Sequence, residues 1–334
     1  MSEMTYAKSG VNIEREGFAI KNMSKWIRKT FEFRKGKIGE VMKEVGFYAN
    51  VIDMGEFALA ICMDGVGSKV LVAQELDKFD TIGIDVVAMN VNDVICLGAE
   101  PLAMVDYMAF KRVDPEVARD ISIGIYEGAK IAGISVVGGE TATLPEIICG
   151  IDGKGFDLAG TAVGIVKKDG IITGEKISPR DIVLGLHSSG IHSNGLTLAR
   201  KVLPKTMWTK LLTPTRIYVK EILELIQKFD IHGLAHITGG GFLNLDRLTK
   251  FGFYLDKIPE EDVIFKKIQE LGDIPDREMY RTFNMGIGFC VIVNENDAEK
   301  ILKGYGERFG IHKIGHVTEE SGVRILKDGK EIGL

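Results

Sequence analysis

The sequence has few cysteines, no basic excess and no long apolar run, and each shortage argues against a class of protein. Cys62, Cys96, Cys149 and Cys290 stand far apart and form no Cys-x-x-Cys pair. They read as small buried hydrophobes rather than a zinc site or a disulfide framework. A net charge of −5 without a long run of one sign gives no electrostatic footprint for nucleic acid or for an anionic membrane. No apolar stretch approaches the ~18 residues of a spanning helix, and the N-terminus lacks a basic region followed by an apolar core. The expected location is the cytoplasm.

What is present fits an ordinary globular protein, 45% hydrophobic and 27% charged. Its 334 residues suggest two domains. The turn Lys-Lys-Asp-Gly between Lys167 and Gly174 marks the boundary, giving an N-terminal domain over 1–168 and a C-terminal one over 169–334. Glycine is abundant, 40 residues, and clusters beside polar side chains, which points to close backbone approaches to a ligand.

The central stretch is Ile84 to Pro101. At 100° per residue Val87, Ala88, Val91, Val94 and Ile95 share one arc, with Asp85, Asn90, Asn92 and Asp93 opposite. This predicts a mostly buried helix, capped by Asp85 and stopped at Gly98 and Pro101. Between Thr81 and Ala99 there is no Lys or Arg to offset Asp85 and Asp93. A buried unpaired carboxylate costs several kcal/mol, so each needs a cation, a donor or a metal. Capping accounts for Asp85; Asp93, in mid-helix, is either a metal or substrate ligand or a satisfied buried acid.

Around this helix the chain repeats one device, a strand running into a glycine turn. Phe57–Met63 leads through Asp64-Gly65-Val66-Gly67-Ser68-Lys69 to a helix over Val70–Leu76, an arrangement that offers N–H groups to a phosphate, with Asp64 suited to Mg²⁺. Pro101–Phe110 is a strand, and Asp114-Pro115-Glu116 opens a helix to Ala132. Ile134–Val137 is a strand delivering Gly138-Gly139-Glu140-Thr141, and Asp157–Val166 closes the first half. In the second half the strand Asp181–His187 precedes a candidate ligand loop, Ser188 to Gly195, in which His192 is either a substrate contact or structural. Thr213-Pro214 is expected to cap a helix to Phe229. Ala235 to Phe242 places Gly239, Gly240 and Gly241 at a helix start, a further phosphate cradle. Strands over Met285–Val293, His312–Val317 and Val323–Leu326, with a helix after Asn296, complete an α+β layer. Near the N-terminus a helix is expected over Glu16–Lys29 and a mobile loop over Arg34–Asn50, with Lys8 either solvated or a phosphate ligand.

The ordered set of motifs resembles the phosphoribosylformylglycinamidine cyclo-ligase family, also called aminoimidazole ribonucleotide synthetase. It comprises Asp64 to Lys69, Asn92-Asp93 with Gly98-Ala99-Glu100-Pro101, Gly138 to Thr141, Ser189 to Gly195, Thr213 to Arg216, and Thr238 to Gly241. The resemblance implies ATP- and Mg²⁺-dependent closure of an imidazole ring from formylglycinamidine ribonucleotide in purine biosynthesis. It also implies an α+β fold: an N-terminal mixed sheet with helices that pairs into a barrel across a homodimer, and a layered C-terminal domain. By motif matching, Asp64 and Asp93 would be metal ligands; Gly65, Gly67, Ser68, Lys69, Asn92, Glu140, Thr141 and Lys8 would face the nucleotide. Ser189, His192, Ser193, Asn194 and Gly239 to Gly241 would face substrate, with His192 and Lys69 catalytic. The chain departs from the pattern at Asn12, at Ala7 beside Lys8, and at a glycine loop reduced to Gly46-Phe47. Sister families fit less well. Selenophosphate synthetase wants a reactive cysteine near its N-terminus, where this chain's first is Cys62. Thiamine-monophosphate kinase favours a Gly-Asp-Asp turn, which is absent, and formylglycinamidine synthase is expected to be much longer. A nucleotide-binding regulator without turnover is the reading from another class.

Overall fold

The computed structural model describes residues 13–43, 47–260 and 262–334. The expectations for Lys8, Asn12 and Gly46 fall outside them. Helix α1 covers Ile13–Ile27 and runs into a 3-10 turn, Arg28–Phe33. Within the expected loop that follows, Val41 forms a β-bridge with Ile52.

Alternating apolar residues then build a five-stranded sheet: β1 (Asn50–Asp53), β2 (Phe57–Gly65), β3 (Glu100–Phe110), β4 (Ser135–Thr143) and β5 (Phe156–Lys167). The spatial order is β1-β2-β5-β3-β4; β3 and β4 are parallel and the other pairs antiparallel. Helices α2 (Lys69–Leu76), α3 (Ile82–Ile95) and α4 (Pro115–Ala132) belong to this half, and α4 makes the crossover that a parallel pair requires. Its start is as the sequence predicts: the Asp114 carboxylate accepts from the Glu116 and Val117 amides, and Gly133 ends it. Along β5 the residues from Phe156 to Val166 alternate between a buried face and a partly open one. Helix α3 lies on the buried face, where a Cβ on Gly160 would fall 2.0 Å from the Met104 side chain and 3.3 Å from Asn90. The opposite face leaves Ile61, Met63, Val105, Tyr107 and Val137 exposed. This sheet is open, with β1 and β4 at its edges.

The second half is a seven-stranded sheet made of β6 (Ile182–His187), β7 (Ile231–His236), β8 (Gly252–Leu255), β9 (Ile287–Val293), β10 (Ile311–Thr318), β11 (Val323–Lys327) and β12 (Lys330–Gly333). Its order is β12-β11-β8-β10-β6-β9-β7, and only β8 and β11 run parallel. Helices α5 (Leu196–Val202), α6 (Val219–Ile226), α7 (Val263–Gly272), α8 (Asp276–Thr282) and α9 (Glu295–Phe309) accompany it. β9 is buried along its whole length, as a near-continuous apolar run should be. The architecture is two α+β domains with mixed sheets.

Helix α3 touches β2, β3 and β5 on one side and β7 and α6 on the other, so it spans the seam between the two halves. Two expectations about this region are corrected. The helix begins at Ile82, one turn before the expected cap, and Thr81 gives it no side-chain cap. Asp85 sits inside the first turn with its carboxylate committed elsewhere. Second, Thr213 to Tyr218 is not helical; α6 starts only at Val219. The Tyr218 amide, which a helix begun at Thr213 would return to the Pro214 carbonyl, goes instead to Asn92 of α3, while that carbonyl accepts from the Ser189 hydroxyl, so the first helical turn is not made.

Gly83 lets α3 begin early, because α4 crosses there at contact distance. A Cβ on Gly124 of α4 would lie 2.5 Å from the Asp80 carbonyl and 2.9 Å from the Gly83 amide. Gly124→Ala therefore tests the crossing by its sign. Helix propensity alone favours Ala by about 1 kcal/mol, whereas overpacking a helix contact costs about 1–3 kcal/mol. Chemical denaturation should show a net loss, and unchanged or raised stability would contradict the close crossing.

Candidate functional site

Asp64 is the penultimate residue of β2, and β5 and α3 fix where it points. The Asn90 side chain of α3 brackets the Asp64 backbone, accepting from its N–H at 3.0 Å and donating to its carbonyl at 3.1 Å. Asn90 is itself buried, so this clamp sets the strand end against the helix. The Asp64 carboxylate accepts from the Gly65 amide at 2.7 Å. One helical turn beyond Asn90, Asp93 meets the His236 ring, Oδ1 to Nδ1 2.8 Å, at the end of β7 in the other half. The Cys62 thiol lies 3.7 Å from the second Asp93 oxygen.

These neighbours form a common electrostatic field. Burial pushes the Asp64 carboxyl up to about 6; the Asp93 charge adds to the rise, and the Gly65 amide, His236 and Arg247 oppose it. Burial first, then the Asp93 and Asp64 charges, drives the Cys62 thiol far above its ordinary range. Burial, with Asp93 again, does the same for Cys96. Both cysteines are neutral thiols. Among the described residues no group of three or more His, Cys, Asp and Glu is arranged to hold a metal ion. Two carboxylates, one with a raised proton affinity, are nevertheless a donor set that suits Mg²⁺. That ion keeps waters and completes its shell with substrate phosphates.

Lys69 and Asn92, expected beside the nucleotide, are both fully buried and lie elsewhere in function. The Lys69 ammonium donates to Asp85 Oδ1 at 2.8 Å and to the Thr213 carbonyl at 2.7 Å. The same Asp85 oxygen accepts from the Thr215 amide (2.8 Å), the Thr215 hydroxyl (2.7 Å) and the Ser193 hydroxyl (3.2 Å). Burial lowers the lysine's proton affinity and Asp85 opposes the fall. Asn92 donates to the Arg216 carbonyl at 2.8 Å and accepts from the Tyr218 amide at 3.0 Å. Both residues are ties between the halves, and Ser193, expected on the substrate side, is the third member of that lattice. Ser68 joins a smaller tie, 2.8 Å from the Thr197 hydroxyl. The sequence pattern hides this because every partner is distant in the chain.

The loop after β6 is organised by His192, which takes a positive φ of 60°. Its Nε2 accepts from the Ser189 amide at 3.2 Å, so the ring proton sits on Nδ1, which has no partner among the described residues. Burial holds the ring well below its ordinary range, and it is neutral. Ser189 donates to the Pro214 carbonyl at 2.5 Å. Asn194 lies against the other glycine turn, its Oδ1 3.1 Å from where a Gly239 Cβ would be, and its buried amide nitrogen has no partner among the described residues. Gly239, Gly240 and Gly241 lead into a 3-10 turn, Gly241–Arg247, not the expected α-helix. Asn244 gathers the carbonyls of Thr238, Gly239 and Gly241. The structure thus brings Asp64 and Asp93 together, and Asn194 against Gly239. Gly65 and Gly67 sit on the turn at the end of β2, with Gly67 exposed.

Glu140 and Thr141 are not brought to Asp64. They lie exposed on edge strand β4. Asp64, Gly160, Asp106 and Gly139 are successive register partners across the sheet, so β4 lies three strand spacings away, about 14 Å. Sequence reasoning assigned no role to His236, Asn90, Tyr48 or Arg247. A signal existed only for His236, which stands one strand end before a glycine turn.

Comparison with known proteins agrees in extent with this architecture. The family model "AIR synthase related protein, N-terminal domain" matches residues 46–166, and the corresponding C-terminal domain matches 178–328. A phosphoribosylformylglycinamidine cyclo-ligase from Thermococcus kodakarensis is 52% identical, covering 98% of this chain and 99% of its own. One from Methanocaldococcus jannaschii is 52% identical over 90% and 88%. Among solved structures, AaThiL complexed with AMPPCP and TMP is similar with a TM-score of 0.67 at 16% identity, covering 93% of this chain and 94% of that one. Hydrogenase maturation protein HypE in complex with ATP is similar with a TM-score of 0.65 at 20% identity, over 83% and 84%. At such identities these structures share the fold alone.

Because the Asp64 carboxyl is held above its unfolded value, it adds stability that is complete below the ordinary carboxylate range and is lost as pH rises through about 6. In metal-free protein, carboxyl-carbon NMR should find Asp64 titrating near about 6. Asp93→Asn, which removes the neighbouring charge and keeps the shape, should bring that midpoint down. A midpoint that does not move would contradict the coupling of the two acids.

Proposed function

Because the chain belongs to the phosphoribosylformylglycinamidine cyclo-ligase family, we propose that it converts formylglycinamidine ribonucleotide to 5-aminoimidazole ribonucleotide in de novo purine biosynthesis. ATP is consumed, and ADP and phosphate are released. The observation that carries the reading beyond kinship is the acid pair Asp64 and Asp93 at the seam, Asp64 beside the Gly65–Gly67 turn and Asp93 on His236, three residues before Gly239, with no lysine among the described residues bonded to either acid. Asp64 and Asp93 would hold the Mg²⁺ of the nucleotide, an ion that neutralises polyphosphate charge during phosphoryl transfer.

An amide oxygen leaves poorly, and transfer of the ATP γ-phosphoryl to it makes phosphate the leaving group. The ring nitrogen then attacks the activated carbon within the same molecule, so proximity favours closure over hydrolysis while water is excluded. The protein's part is positioning. Asn90 fixes Asp64 and His236 fixes Asp93. Gly239 to Gly241 present backbone to a phosphate, and the unpartnered His192 Nδ1 and Asn194 Nδ2 are assigned to substrate. Lys69, Asn92 and Ser193 act at one remove, by holding the two domains in register, and the domains divide near residue 168. We place the enzyme in the cytoplasm; among the described residues no helix is long and apolar enough to cross a membrane. The test follows the oxygen: with the formyl oxygen labelled, label should appear in inorganic phosphate, one ADP per imidazole. Label retained in the organic product or lost to water would rule out the phosphorylated intermediate.

The open sheet supports a homodimer in which two such sheets close on each other into a barrel. Met63 is 70% exposed and Val137 67%, on a face that also shows Ile61, Val105 and Tyr107, and β4 presents an unpaired edge. Glu140 and Thr141, remote from Asp64 within one protomer, lie on that edge and would meet the second copy. Sedimentation at micromolar concentration should find a dimer, and a well-behaved monomer would count against the assembly.

A further inference from the structure

Arg247 ends the 3-10 turn that follows the three glycines. Its guanidinium lies 5.2 Å from the centroid of the Tyr48 ring. Tyr48 is buried, and its hydroxyl donates to the Asn244 carbonyl at 2.9 Å. The Asn244 amide in turn holds the carbonyls of the glycine turn. Ring, turn and guanidinium are therefore one positioned unit. Yet Arg247 is exposed, and among the described residues its guanidinium makes no hydrogen bond or ion pair. The Gly239 and Gly240 amides likewise meet no acceptor among the described residues. The positive charge of Arg247 is felt at Asp64, Tyr48 and Cys96, which places it on the side of the seam where the two acids lie.

An arginine anchored by stacking, close enough to Asp64 to be felt there, spends none of its five donors among the described residues. A guanidinium fork matches two phosphate oxygens, and backbone N–H groups at a glycine turn complete such a cradle. We propose that Arg247, held by the Tyr48 ring, recognises a phosphate group in the cleft together with the Gly239 and Gly240 amides. This deepens the reaction assigned above and rests on it for the choice of ligand. The chemistry is a phosphate oxyanion, and it has two sources, the 5′-phosphate of the ribonucleotide substrate and the transferable phosphoryl of ATP.

The experiment compares wild type with Arg247→Met, Arg247→Lys, Tyr48→Leu and Tyr48→Phe, measuring kcat, both KM values and, by calorimetry, the Kd of the ribonucleotide, of Mg–ATP and of Mg–ADP. Losing a charge-assisted fork should weaken one phosphate ligand about 10- to 100-fold, with the other within about twofold. Arg247→Lys, which keeps the charge without the fork, should recover part of the loss. A loss confined to the ribonucleotide assigns its 5′-phosphate; a loss for ATP that ADP does not share assigns the transferable phosphoryl. Tyr48→Leu should shift the same constant in the same direction, and Tyr48→Phe, which keeps the ring, should shift it much less. Arg247→Met with both affinities within about twofold of wild type would overturn the proposal, as would an equal loss for both ligands, the mark of a structural role. Wild type that binds both nucleotides but releases no ADP would refute the reaction, while the binding arms still decide the arginine.

Discussion

One oxygen of Asp85 holds this protein together. It receives an ammonium, an amide and two hydroxyls, and three of those four donors come from the other domain. A carboxylate with no water is costly unless its donors are fixed in place. Here the lysine is fixed by its second bond, to the Thr213 carbonyl, and the Ser193 and Thr215 hydroxyl oxygens lie 3.1 Å apart against the same Asp85 oxygen. Breaking a buried pair of this kind by removing one partner costs about 3–5 kcal/mol, much of it the stranded charge. The same helix carries, two turns further on, the contact between Asp93 and His236 at the end of β7, three residues before the glycine turn begins.

The same helix thus carries two acids with opposite fates. Asp85, one turn from the N-terminus, is closed to solvent, with four donors on Oδ1 and, among the described residues, none on the buried Oδ2. Asp93, two turns on, meets a histidine and another carboxylate, so negative charge accumulates at the cleft instead of being cancelled. Burial alone would make Asp64 a poor anion; a cation brought in with a polyphosphate reverses that by attracting the ionised form.

The larger elements are written in the sequence, since apolar alternation and the caps at Asp114 and Gly133 are local signals. Asp64 and Asp93 could be singled out because unpaired acids in an apolar context are improbable on energetic grounds. What failed was the assignment of partners. Asp85 resembles a cap and Thr213-Pro214 a helix start, and each motif was diverted by the other across 130 residues of chain. Lys69 beside a glycine turn reads as a phosphate ligand until its buried acid is known. Tyr48, Asn244 and Arg247 carry no motif at all; their arrangement exists only once the second sheet has docked.

Helix α3 also works as a ruler. Asp85 and Asn92 are seven residues apart, about 10.5 Å along a helix, and they bind the amides of Thr215 and Tyr218. Three residues of backbone reach at most about 10–11 Å, so the strap between those amides is of a length comparable with the spacing of the two side chains it meets. The two lengths are commensurate only in this count. One residue inserted between Asp85 and Asn92 would turn Asn92 about 100° away, and one removed between Thr215 and Tyr218 would leave the strap too short to reach both marks. A strap of irregular backbone measured against a helix is therefore a place where a change of length is felt on both sides of the seam.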